Sequence, residues 1–309
     1  MFERSKYSGL RISKEAATIL AMRVALYEGS WEKYHKGTKF ATEDNHTEFF
    51  QEVMKWGDEQ FFKSKLALNT KDTDKEYVNA EDAFAHLFNK KDLSQIQEAV
   101  LWKKYSVADG VFHRLGALLA SGAVDGQGPS GLSKSLVDNY LNADGTFINP
   151  KDEKYKDFNE MFKERDARLL VTVMHSGPDC KYRASSPTNK PMNVRAYDAT
   201  GTEDEMKEKN EDIVSPNLNG DGNSKSVTGF HIRLGIDTTY VDNESETVVV
   251  LFRYAEGLLC YAEAAEELDL CTDDVLNKTL KPLRERAGVT YVKPTKADPN
   301  FPFTGLSPS

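Results

Sequence analysis

The segment Arg253–Val289, RYAEGLLCYAEAAEELDLCTDDVLNKTLKPLRERAGV, indicates the fold more strongly than any other part of the chain. Apolar and small residues recur in it at helical spacing, which predicts two helices joined by a short acidic turn. Small residues on the first helix would let another helix approach closely: Ala255, Gly257, Ala262, Ala264 and Ala265, among Leu258, Leu259, Tyr261 and Leu268. The segment therefore predicts a close-packed helical hairpin, a scaffold unit. Pro282 should kink or end the second helix near Leu280, because proline has no N–H.

A similar hairpin is predicted near the start of the chain. Ser13 is a plausible N-cap for a helix that Gly29 should end, and a second helix should begin at Trp31. That second helix is interrupted by the polar run 37–45 and resumes from about 47 to 66. Ala16, Ala17, Ala21 and Ala25 supply a close-approach surface, and Leu20, Val24 and Tyr27 line one face. The two hairpins resemble tetratricopeptide repeats, but a large insertion separates them.

The intervening sequence has fewer regular elements. It predicts a short helix or an extended segment at 92–104, a short helix at 133–141, a turn at 142–145 and a helical turn at 157–165. Strands are predicted at 169–174, 230–234 and 247–252. The fold class is therefore mainly α with a small β content. Residues 1–120 are predicted to be a helical region, 121–246 an irregular loop-rich insert, and 247–309 a second hairpin with a tail, all within one domain.

Composition narrows the function classes. The chain has 309 residues, of which 39% are hydrophobic, so it can bury a sizeable core. Its net charge of −9 disfavours nucleic acid or an anionic membrane as the main partner. Cys180, Cys260 and Cys271 show no CxxC spacing, so neither a disulfide framework nor a zinc knuckle is indicated.

Six segments, taken in order, resemble the SusD/RagB family of glycan-binding outer-membrane lipoproteins. They are Gly9–Tyr34, Asp92–Tyr105, GLSKSLVDNYLNADGTFI at Gly131–Ile148, RDARL at Arg165–Leu169, TGFHIRLGID at Thr228–Asp237 and LFRYAEGLLCYAEAAEEL at Leu251–Leu268. Ala167 stands where the family pattern usually has proline. Family members are usually longer at both ends, so this chain is expected to be a central fragment.

The resemblance implies a SusD-like fold and a role without catalysis or cofactor. The protein would bind an oligosaccharide or polysaccharide as an outward-facing lipoprotein of the cell outer membrane. It would pass the glycan to a SusC-like TonB-dependent transporter. Its only attachment to the membrane would be a lipid anchor outside this sequence. No metal is expected either, since the histidines form no HxH or HxxxH pair.

Sugar binding needs a flat aromatic ring for the sugar face and planar polar groups for its hydroxyls. Such residues belong on loops held by a rigid scaffold, and the segment 175–240 carries this mixture. Tyr182 and Tyr197 are predicted to be stacking platforms. Asp179, Asn193 and Arg195 are predicted to form hydrogen bonds with the ligand. The alternative is that these side chains only anchor a long loop.

Other candidates favour structural roles. Arg165, Asp166 and Arg168 suggest an ion-pair cluster, because two arginines stabilise the ionised carboxylate. Asn217–Gly222 resembles a calcium loop but lacks its first Asp and final Glu, so a plain turn is favoured. Trp31, Trp56 and Trp102 are all expected to pack in the interior.

Two functions from other classes remain open. One is a repeat-type protein–protein adaptor without a sugar site. The other is a glycoside hydrolase, which would need two carboxylates facing each other across a cleft. Because no motif identifies such a pair, glycan binding without catalysis is the preferred hypothesis.

Overall fold

The structure is a computed structural model that describes residues 1–41, 43–70, 80–115, 131–157, 160–175, 228–230, 232–235 and 244–294, and the backbone of 192–194 and 212–214. Its α-helices are α1 (Lys14–Tyr34), α2 (His46–Trp56), α3 (Ala80–Asn89), α4 (Lys134–Asp138), α5 (Ala167–Thr172), α6 (Tyr254–Glu267), α7 (Asp273–Lys278) and α8 (Leu280–Arg286). Its strands are β1 (Ala99–Lys103), β2 (Met192–Val194), β3 (Asp212–Val214) and β4 (Val249–Arg253). The predicted mainly α fold is confirmed.

Two compact units make up the chain. Unit 1 consists of Met1–Glu76, Asp92–Lys104 and Val248–Arg286, and unit 2 of Tyr77–Lys91, Tyr105–Thr247 and Ala287–Ser309. The division into 1–120, 121–246 and 247–309 stays a prediction. No helix within the described ranges is long and apolar enough to cross a membrane.

Helix α1 begins as predicted but does not end where predicted. The Oγ of Ser13 accepts a hydrogen bond from the N–H of Ala16 at 3.3 Å, which caps the helix. The prediction that Gly29 ends it is wrong, because the helix continues to Tyr34. A Cβ at Gly29 would lie 2.8 Å from the ring of Phe50, so glycine is needed there for close packing of α2.

The predicted close approach of the small-residue helix is confirmed in unit 1. A Cβ at Gly257 on α6 would lie 2.2 Å from Cε2 of Phe61. Phe61 ends a π-helical segment, Gly57–Phe61, that continues α2. The converse also holds, since a Cβ at Gly57 would lie 2.3 Å from Cδ2 of Tyr261. Each glycine therefore receives an aromatic ring from the opposite helix, which allows the two backbones to approach.

The second hairpin also follows the prediction. Thr272 caps α7, and its Oγ1 accepts a hydrogen bond from the N–H of Val275 at 3.4 Å. Thr279 separates α7 from α8, so the helix ends near Leu280 as Pro282 predicts. Pro282 lies in the first turn of α8, where a backbone N–H has no partner within the helix. Its lack of a donor is tolerated at this position.

The segment 92–104 takes the extended alternative. Its β1 pairs antiparallel with β4, and Trp102 lies opposite Val250. Trp102 is 2% exposed, and its indole Nε1 donates to the carbonyl of Ser8 at 2.8 Å. Its predicted packing role is confirmed, as is the strand predicted at 247–252, observed as β4.

Two predicted strands of unit 2 are wrong. The run 169–174 is mostly helix α5, because Asp166 caps it by accepting from the N–H of Arg168 at 2.9 Å. A six-residue apolar run fits a buried helix as well as a strand, and here the cap decides. The run 230–234 contains one isolated bridge, from Ile232 to Val173. Helix α4, capped by Ser133, and the turn at Gly145 confirm the predictions for 133–145.

Several residues predicted to be interior are exposed or only half-buried. Trp56 is 38% exposed, because it lies beside the buried row of Phe50, Val53 and Gly57 and not in it. Trp31 is half-buried, at the end of α1 beside a surface loop. Side chains predicted on apolar helix faces are also exposed in unit 1: Leu20 and Val24 on α1, and Leu259 on α6.

Candidate functional site

The structure does not test the five predicted ligand residues. Asp179, Tyr182, Arg195 and Tyr197 lie outside the described residues. Asn193 lies in β2, which pairs in parallel with β3. Its backbone partner in that pairing is Ile213. The calcium-like segment Asn217–Gly222 and Cys180 also lie outside the described residues. The structure does describe residues of unit 2 at both ends of the predicted ligand segment, up to His175 and from Thr228.

Both ends of that segment are joined in unit 2. The chain leaves α5 through Val173 and His175 and is described again at 228–230 and 232–235. The N–H of Arg233 donates to the carbonyl of Thr172 at 2.9 Å. The Nη1 atom of Arg233 donates to the carbonyl of Leu170 at 2.6 Å and lies 3.1 Å from Nε2 of His175. The predicted ligand segment therefore starts and ends at one hydrogen-bonded junction.

A buried arginine, Arg165, lies just before α5. The Arg165 guanidinium donates to four main-chain carbonyls of unit 2, those of Val137, Tyr140, Leu141 and Met161, at 2.7 to 3.2 Å. Burial lowers the pKa of this guanidinium. The expectation that it pairs with Asp166 is wrong, because Arg165 uses its donors to join α4, the following loop and the turn before α5.

Asp166 instead pairs with Arg168. The carboxylate of Asp166 is fully buried and accepts from Nη2 of Arg168 at 2.6 Å. Burial alone would lower the pKa of Arg168, but the hydrogen bonds that Arg168 donates to Asp166 and the Coulomb attraction of that carboxylate together outweigh burial, so the pKa is raised. The predicted structural ion pair is confirmed for these two residues. A buried carboxylate that caps a helix and holds a charged guanidinium is suited to positioning α5 and not to proton transfer.

Unit 1 contains a buried ion cluster that the sequence did not reveal. Glu98 is 0% exposed and pairs with Arg286 at 2.9 Å and with Arg253 at 3.1 Å. Its Oε2 also accepts from the N–H of Asn69 at 2.7 Å. These residues are far apart in sequence, so no spacing signal could have found the cluster. It joins four chain segments of unit 1 and has a structural role.

Cavities of two kinds occur among the described residues of unit 1. One, of about 290 Å³, is lined by charges of both signs from α1 and the segment after α2, among them Lys14, Glu15, Glu59 and Lys63. The other, of about 280 Å³, is lined by aromatic rings and carboxylates. Within the described part of the chain, no group of three or more His, Cys, Asp or Glu side chains could hold a metal ion.

Comparison with known proteins identifies the family. The SusD family model matches residues 88–305. A SusD-like carbohydrate-binding protein from Bacteroides fragilis superposes with a TM-score of 0.54 at 21% identity, over 94% of this chain and 47% of that one. A second SusD-like protein from the same species gives a TM-score of 0.55 at 19% identity, over 94% and 49%.

No curated protein matches the sequence. The chain spans about half the length of these two solved structures, whose likeness supports the fold. The family match covers well over half of the chain and includes five of the six segments on which the sequence resemblance rests. The chain belongs to the SusD family.

Proposed function

We propose that this protein binds oligosaccharide or polysaccharide at the cell surface without modifying it. The observation that carries the proposal is the family match over residues 88–305. It is supported by the likeness to a Bacteroides fragilis structure described as a SusD-like carbohydrate-binding protein. The net charge of −9 suits a neutral glycan better than an acidic one.

The ligand site is proposed to lie in the segment between α5 and Thr228. Tyr182 and Tyr197 stack on sugar rings, and Asp179, Asn193 and Arg195 bond with the hydroxyls. The junction of Arg233 with Leu170 and Thr172 supports this location, because it fixes both ends of the segment on hydrogen-bonded structure. Specificity then depends on loop geometry, and affinity on a few stacked rings.

The role is proposed to be non-catalytic. Asp166, the buried carboxylate among the described residues of unit 2, has a structural role because it pairs with Arg168. A hydrolase would need a proton-donating carboxyl with a second carboxylate across a cleft. Incubation with the bound glycan should release no reducing sugar, and any steady release would contradict this part of the proposal.

The partner is proposed to be a SusC-like TonB-dependent transporter in the outer membrane, with this protein on its outward face. Unit 1 offers exposed apolar side chains suited to a protein partner: Leu20 (45%) and Val24 (58%) on α1, and Leu259 (48%) on α6. Affinity purification from cells should recover a TonB-dependent transporter with the wild-type protein. The double variant Leu20→Ser/Val24→Ser should recover less of it.

Glycan binding is tested directly by native electrophoresis, in a set of gels that each contain a different polysaccharide. A bound glycan retards the protein, whereas a non-ligand leaves its mobility unchanged relative to a marker protein. The proposal predicts retardation by at least one polysaccharide of a broad panel. Unchanged mobility in every gel would contradict it.

A further inference from the structure

Unit 1 contains a cavity whose lining is both aromatic and acidic. The cavity of about 280 Å³ is bounded by the C-terminal half of α1 and the loop that follows it. Tyr27 and Trp31 are one helical turn apart, and so are Glu28 and Glu32. Helix α1 therefore presents a row of aromatic rings beside a row of carboxylates. The loop adds Phe40 and Glu43, one more of each kind.

The aromatic rings are ordered by direct contacts. Tyr27 stacks near Trp31, with ring centroids 6.0 Å apart and planes inclined by 20°. Trp31 and Phe40 meet edge to face at 6.5 Å. The indole Nε1 of Trp31 donates to the carbonyl of Phe40 at 3.0 Å, which ties the loop to the helix. Tyr27 and Phe40 remain 63% and 59% exposed, so their rings are available to a ligand.

The polar lining is made of carboxylates. Within the described residues, Glu28, Glu32 and Glu43 form no ion pair, and the cavity lining includes no Lys or Arg. Lys33 pairs with Glu267 and Lys36 with Asp44, whereas the Lys39 ammonium lies over the Phe40 ring and is the cation that a ligand would have to replace there. Glu32 is 7% exposed and accepts a hydrogen bond from a neutral group, the N–H of Asn45. The cavity is therefore both aromatic and negatively charged.

We propose that this cavity binds the ammonium group of a small cationic ligand. Aromatic faces attract a cation within about 6 Å of the ring centroid, and carboxylates add Coulomb attraction. A neutral sugar would displace water from three carboxylates without supplying a compensating charge. The protein contains its own precedent, because Nζ of Lys39 lies 5.1 Å from the Phe40 centroid. The small volume suits a single head group.

Three related probes separate the possible chemistries. Choline carries a quaternary ammonium, ethanolamine a primary ammonium, and 3,3-dimethylbutan-1-ol is the neutral isostere of choline. Calorimetry on the full chain should show saturable binding of one or both cations and none of the isostere. Choline binding favours a trimethylammonium ligand, and ethanolamine binding alone favours a primary amine. Added salt should weaken the binding, because the attraction is electrostatic.

Variants locate the binding. Phe40→Ala should raise the Kd about three- to thirty-fold, the range of a single cation–π contact. Glu28→Gln/Glu43→Gln should also raise it. Tyr34→Ala is the matched control, because Tyr34 is an exposed aromatic (68%) on the same helix that does not line the cavity. All of these side chains are at the surface, and circular dichroism verifies that each variant folds.

The proposal is overturned if neither cation binds, if the neutral isostere binds as tightly as choline, or if Phe40→Ala leaves the Kd unchanged. Its outcome is separate from that of the glycan proposal. Tyr182→Ala and Tyr197→Ala should leave cation binding unchanged, and Phe40→Ala should leave glycan binding unchanged. A glycan that competes with choline for this cavity would also count against the inference.

Discussion

The guanidinium of Arg286 donates from Nη1 to both carboxylate oxygens of Glu98, at 3.2 and 2.9 Å, although the two residues are 188 positions apart. Both side chains are buried. The contact joins the last helix of unit 1 to the segment before β1. Because neither charge reaches water, the fold depends on each charge keeping its partner.

Replacing Glu98 should therefore destabilise unit 1 strongly. Glu98→Gln leaves Arg286 buried without a counter-charge, and we expect a loss of about 3–5 kcal/mol in the free energy of unfolding. Chemical denaturation measures it. The control is Glu52→Gln, which breaks the exposed pair with Lys55 and should change stability by at most about 0.5 kcal/mol. Equal effects of the two substitutions would show that the buried cluster has no special role.

Gly257→Ala tests the close approach of α6 to the segment after α2. In an exposed helix this change stabilises by about 1 kcal/mol, because alanine has the higher helix propensity. Here the added methyl would lie 2.2 Å from the Phe61 ring, so we expect a loss of about 1–3 kcal/mol. In the double variant Gly257→Ala/Phe61→Leu the two costs should be less than additive. A stabilised single variant would contradict the packing described.

Cys260 should be unreactive in the native protein. Burial raises the pKa of its thiol to about 12, and Glu256 and Glu263 add to the shift. The nucleophilic thiolate is therefore scarce near pH 8. In a Cys180→Ser/Cys271→Ser background, a maleimide should label Cys260 slowly until denaturant is added. Rapid labelling under native conditions would be inconsistent with this environment.

Glu263 should make stability depend on pH. Its pKa is raised, first by desolvation and then by repulsion from Glu267. A carboxyl whose pKa is raised in the folded state favours folding most when the pH is below its ordinary pKa of 4.5. This contribution to the free energy of unfolding is lost as the pH rises through the folded-state pKa. Glu263→Gln should therefore be more stable than wild type at pH 7, and this advantage should vanish at pH 4. The reverse order at pH 7 would contradict the direction of the shift.

Local sequence signals predicted much of the scaffold. Ser13 and Ser133 cap helices, and a cap depends on neighbouring residues in the chain. The small residues around Gly257 predicted a close approach because helical spacing places them on one face, but the sequence did not identify Phe61 as their partner. Gly29 was misjudged because its role depends on Phe50, a contact between separate helices. Helix α3 went unpredicted, and the pairing of Glu98 with Arg286 has no local signature.

The aromatic cavity and the proposed glycan site also differ in how far the sequence predicted them. The aromatic cavity depends on Trp31 being only half-buried, whereas an interior position was expected for it. Tyr27 and Val24, predicted to line one helix face, are exposed because α2 and α6 pack on the other side of α1, where Ile19 and Met22 are buried. The residue types for glycan binding were predicted from composition and resemblance, and their arrangement stays a prediction.

The central claim, glycan binding, is tested most directly by isothermal titration calorimetry. The titration uses the full chain and a glycan that slows the protein in native electrophoresis. The account predicts saturable heat for the wild type and for Tyr34→Ala. It predicts a loss of about tenfold or more in affinity for Tyr182→Ala and for Tyr197→Ala, the effect of removing a stacked ring. Wild-type affinity in both of these variants, or no heat with any glycan of a broad panel, would contradict it.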